Sequence, residues 1–476
     1  MELGVLHIMK VHLYISNFRG HTFREILKIV LFLAGLLFLI IGLTIFLRSK
    51  YPFDIRQPFY DTAEEADYDV LMMGTSHTFC ALQPMQLYED YGISSYCLAT
   101  GGERIEATYY SLADAFDHSS PKLVVLDLYS MGYWDDENYP VKQEDLHSII
   151  DPMPLGDVRT AAVNDLVEES RKIEYRFPLS IYHGRWHSLT ESDFHDTVFH
   201  KEQLGAQLCN GRSAAVPPTL VAKNAHADYD SNATRYLKKI LELCQENNAE
   251  ILLVLIPYNA NETFQLAANQ GGVIASAFPN ARYENLLYRN GEICIDYSID
   301  CADEGSHLNP SGARKVTSWL GRYIRSHYEL PDCRDERTAN YDFWQEAYIR
   351  YLGYKDNQIR NIQTCQLNNN DSKKQEVVPD IRLYCLLAWL NDKDYSVRMW
   401  IDPDSSRLKD KVFITYCKEI FGKEFPEGFF QGERQIKYGT GTYADGNFDD
   451  VGMVGYSLRF SVDNNVTGQH VCDLNY

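Results

Sequence analysis

Basic residues are the first shortage: the 476-residue chain carries 45 Lys and Arg against 66 Asp and Glu, a formal net charge of −21. A nucleic-acid binder needs a basic footprint for phosphates, so that class is excluded. The cysteine patterns of metal sites are missing too. Eleven cysteines include no CxxC pair and no Cys/His cluster at zinc-finger spacing, which argues against structural zinc. An odd count leaves at least one thiol over if the rest form disulfides. Cys294 and Cys301 are the closest pair and are expected to staple a loop, whereas Cys80, Cys97, Cys244 and Cys385 sit in apolar stretches and read as core. No period of 20–50 residues runs through the chain, so a repeat array is excluded. What is present is an ordinary apolar fraction, 45%. That rules out global disorder and, at this length, predicts two or three domains.

The charge is unevenly placed. Residues 1–50 hold six Lys and Arg against two Glu, a net of +4, which leaves −25 on the 426 residues beyond. Between Lys28 and Arg48 lies the uncharged, proline-free run Ile29–Leu47, 19 residues long. As a helix it would be roughly 28 Å long, close to the hydrocarbon thickness of a bilayer. It is apolar on every face, whereas a core helix would show a polar stripe. The run is longer than a signal-peptide apolar region and is followed by SKYPFDIRQPF, which lacks a small-x-small cleavage site, so an uncleaved anchor is expected. Lys10, Arg19, Arg24 and Lys28 narrowly outnumber Arg48, Lys50 and Arg56, and the body is acidic. Together these predict a cytoplasmic tail over 1–28 and a single-pass cell-membrane protein with an extracytoplasmic body.

Beyond a polar linker at Asp61–Asp67, short apolar runs alternate with helical stretches. Strands are expected at Tyr68–Gly74, Ser95–Ala99, Lys122–Leu128 and Ile251–Pro257, with a weaker one at Ile293–Ser298. Helices are expected near 80–90, over 103–116, over 230–248, and from Pro310 to about Tyr328, where proline suits a first turn. This alternation predicts an α/β fold with a mainly parallel sheet, whose ligands lie beyond the carboxyl ends of its strands. From about residue 333 the texture changes, with a polar loop at Asn368–Glu376 and strand-like YSVRMWI and GMVGYSLRFSV, so 333–476 reads as a smaller α+β or β-rich domain.

Chemistry is therefore sought just after strand ends. The first strand runs into Gly74-Thr75-Ser76-His77, a turn that lifts a serine above the sheet edge beside the backbone N–H groups of the next helix. A hydroxyl needs a base to take its proton. His307, in DEGSHLNPSG just before the last helix, is the candidate, with Glu304 and Asp303 placed to orient it. After the second strand comes LATGGE, whose glycines let backbone N–H groups approach a reacting atom. Each piece alone has a plainer reading, as helix cap, loop histidine and turn; order and position give them weight. His77 adjoins Ser76 and diverges from it on a turn, so it reads as a substrate contact or structural donor. A metal site on His77 and His307 finds no third ligand. Asp445, Asn447 and Asp449 have calcium-loop spacing, but Asp450 replaces the needed glycine and no acid stands at position twelve, so a solvated turn is expected. No cofactor is expected.

This combination resembles the SGNH (GDSL-like) hydrolase superfamily over roughly residues 60–330. It is most similar to the membrane-anchored extracytoplasmic branch that includes teichoic-acid D-alanyl transfer and alginate O-acetylation proteins. The resemblance implies a three-layer, flavodoxin-like α/β/α sheet and a serine esterase or O-acyltransferase. Ser76 matches the nucleophile, His307 the base, and the N–H groups of Ser76 and Gly102, or else Gly101, the oxyanion hole. It also implies an acyl, usually acetyl, group on a cell-surface polysaccharide as substrate, and a multi-pass membrane O-acyltransferase as partner. The segment YRFPLSIYHGRWHSLTESDF resembles an insert of this branch, in which Tyr182, His183, Arg185 and Trp186 would line a substrate entrance; a packed surface segment is the alternative. The family's acid usually stands three residues before the His, which selects Glu304, while the usual residue type selects Asp303. No GxND block is present, so the oxyanion Asn has no clear match, with Asn259 and Tyr129 as weak substitutes. Tyr438, Tyr443, Tyr456 and Phe460 would suit glycan binding by the C-terminal region, although strand aromatics are more often core. A non-catalytic accessory protein that holds glycan beside an acyltransferase is the competing reading.

Overall fold

The computed structural model describes residues 23–48, 51–134, 142–189, 193, 202–364, 380–402, 405–421, 435–437 and 456–476. The tail before residue 23, the polar loop at 368–376, Tyr438, Tyr443 and the calcium-like spacing at 445–450 lie outside them. The chain divides into two compact units.

The first unit comprises residues 1–50 and 168–197. Helix α1, Phe23–Leu47, contains the stretch Ile26–Leu47, which is long and apolar enough to cross a membrane. Phe32 and Phe38 are among its exposed side chains, an arrangement that water would penalise and lipid would not. Two short helices, Lys172–Arg176 and Leu179–Tyr182, belong to the same unit. Here Arg185 donates to the carbonyl of Leu47 (2.8 Å) and pairs with Asp193 (2.7 Å). Arg185 thereby caps the C-terminal end of α1, where a cation complements the helix dipole.

The second unit begins with helix α2, Tyr51–Ala66. The stretch 61–66, read above as linker, is therefore helical, because Phe59, Ala63 and Ala66 form a buried face. Five parallel strands follow: β1 Val70–Met73, β2 Ser95–Cys97, β3 Leu123–Asp127, β4 Glu250–Leu255 and β5 Ala281–Asn285. Their order is β2-β1-β3-β4-β5, with Val70 beside both Ser95 and Leu123. This is a doubly wound order whose direction reverses at β1, so the crevice beyond the ends of β1 and β3 is where such folds bind ligands. β1 and β3 are buried throughout, as strands covered on both faces must be.

Helices α3 Ser76–Ala81 and α4 Pro84–Tyr91 join β1 to β2, and α5 Ile105–His118 joins β2 to β3. Helices α6 Gln143–Ile150, α7 Asp157–Leu166 and α8 Asn232–Glu246 precede β4, and α9 Glu262–Ala275 precedes β5. α3 and α4 pack with α10, Pro310–His327, while α5 packs with α7 and α8. The weak strand expected at 293–298 is absent. Residues 290–293 are helical, Cys294 takes a left-handed conformation (φ 64°), and the fifth strand is the more polar ARYEN segment.

Residues 333–476 supply α11 Tyr341–Arg360, α12 Ile381–Leu390, α13 Lys411–Ile420 and an antiparallel sheet in the order β7-β6-β8-β9 (Gln435–Lys437, Tyr395–Ile401, Leu458–Asn464, His470–Asn475). Its core gathers Leu387, Trp389, Tyr395, Phe413, Tyr416, Phe460 and Val462, and includes Ile299 from the preceding region. Both regions fall in one compact unit. Across residue 333, Trp344 donates to the Ala66 carbonyl (3.1 Å) and Lys315 pairs with Glu419 (2.9 Å).

Candidate active site

The turn after β1 is built by its own sequence. Gly74 sits at φ 143°, and a Cβ there would lie 2.3 Å from Thr78 Oγ1 and 3.1 Å from Asp127 Cβ, so only glycine fits. Thr75, not Ser76, is the N-cap of α3: its side chain accepts from the His77 N–H at 3.3 Å. The plain capping role is thus filled by the neighbour, and the Ser76 hydroxyl is left for other work.

That hydroxyl lies 2.7 Å from His307 Nε2. On the other side of the ring, Nδ1 is 2.7 Å from Asp303 Oδ2, while Asp303 Oδ1 accepts from the His307 backbone N–H, also at 2.7 Å. Asp303, not Glu304, is therefore the carboxylate on the imidazole. Spacing alone selects Glu304, but residues 303–307 form a tight turn, with Glu304 at φ 45°, Gly305 at φ 88° and the Ser306 N–H donating to the Asp303 carbonyl. That turn sends residue 303 back under the ring and leaves Glu304 exposed. Asn309 holds the next step by capping α10, and its amide donates to the Ile299 carbonyl at 2.6 Å.

Burial disfavours the charged His307 imidazole, but the hydrogen bond and charge of Asp303 outweigh it and raise its pKa above the ordinary value. His77 moves the other way. It is 4% exposed, stacks on Tyr129 (3.8 Å between ring centroids), meets Tyr258 edge-on and lies 5.0 Å from the His307 ring. Burial first, then the neighbouring imidazole, holds it well below the usual range and hence neutral. Its enclosure makes it part of the aromatic wall beside the serine.

The loop after β2 is anchored from α2. Arg56 and Glu103 are both fully buried and paired at 2.8 Å; the Arg56 guanidinium also donates to Thr100 Oγ1, and Ser111 donates to Glu103. The Thr100 N–H donates to the Gly74 carbonyl (3.2 Å), which ties this loop to the serine turn. Of the two glycines, Gly102 has the left-handed conformation, φ 71°, and Gly101 does not. Of the two substitutes for the missing Asn, Tyr129 shares a hydrogen bond with Tyr133 (3.0 Å), and Asn259 is tied by its backbone N–H to the Gly305 carbonyl (2.8 Å), beside the His307 turn. Arg185 belongs to the other compact unit, where Asp193 and the end of α1 occupy it.

Two residues at this sheet edge escaped the sequence reading. Asp127 ends β3, is 1% exposed and has its carboxyl pushed up to about 7 by burial; its Oδ1 accepts from the Ile256 N–H, while Oδ2 has no partner among the described residues. The Tyr258 hydroxyl is likewise buried without a partner there. An acid closing an otherwise apolar strand was the available signal for the first; a tyrosine after a proline carried none. A cavity of about 510 Å³ lies elsewhere, lined by Gln86, Arg314, Lys315, Lys355, Asp392 and Glu419 among others. Several of its charges are paired with one another, Lys355 with Asp392 and Lys315 with Glu419, and it contains no member of the serine site. Among the described residues no three His, Cys, Asp or Glu side chains are grouped to hold a metal.

Comparison with known proteins finds no family model and no characterised sequence that matches this chain. The functional reading therefore rests on the site itself. Its carboxylate, imidazole and hydroxyl stand in line, which is the arrangement of a serine nucleophile with base and orienting acid.

Proposed function

We propose that the protein is a membrane-anchored serine esterase or O-acyltransferase of SGNH type. The observation that carries this reading is the line Asp303–His307–Ser76, with 2.7 Å at each contact. Ser76 Oγ attacks the acyl carbonyl carbon while His307 Nε2 takes its proton, and Asp303 stabilises the imidazolium. The N–H groups of Ser76 and Gly102 receive the oxyanion; one such donor is typically worth about 3 kcal/mol. Collapse breaks the ester C–O bond, and His307 returns the proton to the departing alkoxide. The acyl-Ser76 then passes its acyl group to water or to another hydroxyl, activated by the same histidine.

The resemblance supports an acetyl group on a cell-surface glycan, a body outside the membrane, and a multi-pass O-acyltransferase that supplies the acyl group. The aromatic wall of His77, Tyr129 and Tyr258 is suited to the apolar face of an acyl group or sugar ring. The test is turnover of p-nitrophenyl acetate by the full chain in detergent, beside Ser76→Ala and His307→Ala. Hydrolysis in the wild type that falls to background in both variants supports the enzyme. No hydrolysis in any form, with glycan binding retained, favours the accessory reading instead.

A further inference from the structure

The segment from Leu204 to Ala215 runs as a strap along the edge of the parallel sheet and around the candidate site. The Cys97 N–H on edge strand β2 donates to the Leu204 carbonyl (2.9 Å), and the Gln207 N–H donates to the Phe79 carbonyl on α3 (2.9 Å). Farther on, the Ser213 and Ala215 N–H groups donate to the carbonyls of Cys301 and Tyr297 (3.0 and 2.8 Å), and Arg212 Nε donates to the Ser298 carbonyl (3.0 Å). Between these fastenings, Cys209 Sγ lies 2.6 Å from Cys80 Sγ. Non-bonded sulfur atoms do not ordinarily approach so closely, and side chains converging in this way satisfy the first requirement of a disulfide. Cys80 is in the last turn of α3, four residues after Ser76, and is buried, while Cys209 is partly exposed.

We infer that Cys80 and Cys209 form a disulfide that fastens the strap to the serine helix. This inference does not depend on Ser76 being a nucleophile. It replaces the expected staple of Cys294 and Cys301, of which the first is exposed and the second buried with no sulfur contact between them. Formation requires a disulfide as oxidant, either of a thiol–disulfide oxidoreductase or of a small molecule such as oxidised glutathione. The accessible Cys209 thiolate attacks one sulfur of the oxidant and expels a thiolate, leaving a mixed disulfide. The Cys80 thiolate then attacks Cys209 Sγ and expels the second. Two protein thiols are oxidised, one external disulfide is reduced to two thiols, and the two protons leave with them. Burial pushes the Cys80 thiol well above its ordinary range, so the closing step accelerates with pH as the thiolate fraction rises.

The test uses the full chain in detergent, incubated with oxidised glutathione at pH 8, quenched in acid, alkylated and digested for mass spectrometry. The expected product joins the Cys80 and Cys209 peptides, two hydrogens lighter than the separate thiols, and forms faster at pH 9 than at pH 7. Cys209→Ser should leave Cys80 fully alkylated. Glutathione persisting on Cys209 with Cys80 alkylated, or both cysteines alkylated in the wild type, would overturn the inference.

Discussion

At the scale of the residue, two neighbouring carboxylates have been separated by one turn of backbone. Asp303 holds both the ring and the backbone N–H of His307, so Asp303→Asn should lower kcat on the order of 10³- to 10⁴-fold by selecting the wrong tautomer. Glu304→Gln should leave kcat near that of the wild type; equal losses in the two variants would refute the assignment. The base must be neutral to accept the serine proton. Because Asp303 raises the His307 pKa above 6.5, kcat/KM should climb with pH through a value above 6.5, and Asp303→Asn should move that limb to lower pH. Ser76 was legible in the sequence because it follows the apolar strand β1 at a helix start, and His307 because it stands just before the helix that Pro310 opens. The choice between Asp303 and Glu304 was not, since spacing alone carries no information about a left-handed residue at 304.

At the scale of the element, the burial of Arg56 with Glu103 joins α2 to the loop after β2. Removing the cation leaves a fully buried carboxylate without its counter-charge. Arg56→Met should therefore destabilise the protein by about 3–5 kcal/mol, and adding Glu103→Leu should recover part of the loss. Chemical denaturation of Arg56→Met, Glu103→Leu and the double variant reads this directly, and additive losses would show that the pair is not coupled. Strands β1, β3 and β4 were legible because a strand buried on both faces must be a largely continuous apolar run. The edge strand Ala281–Asn285 carries Arg282 and Glu284, which hid it, and the apolar ICIDYS segment drew the assignment that belonged there. Helix α2 was obscured by the acidic end Asp61–Asp67, although Arg56 and Phe59 on its other side are fully buried.

At the scale of the whole molecule, the chain carries +4 over the fifty residues that include a helix long and apolar enough to cross a membrane and −25 beyond them, and the proposed exported body is open to test. The exposed Cys294 offers a reporter: a membrane-impermeant maleimide should label it in intact cells, and Cys294→Ser should remove that label. Labelling only after lysis would place the body inside. The acidic body would also repel a polyanionic glycan, so added salt should lower KM for such a substrate and leave KM for a neutral ester unchanged. The proposed chemistry turns on whether Ser76 carries an acyl group. The most direct measurement is rapid acid quench of the full chain during p-nitrophenyl acetate turnover, followed by peptide mass analysis. One acetyl group on the Ser76 peptide, absent in Ser76→Ala, is the predicted result. Sustained turnover with the Ser76 peptide unmodified, or undiminished turnover by Ser76→Ala, would contradict it.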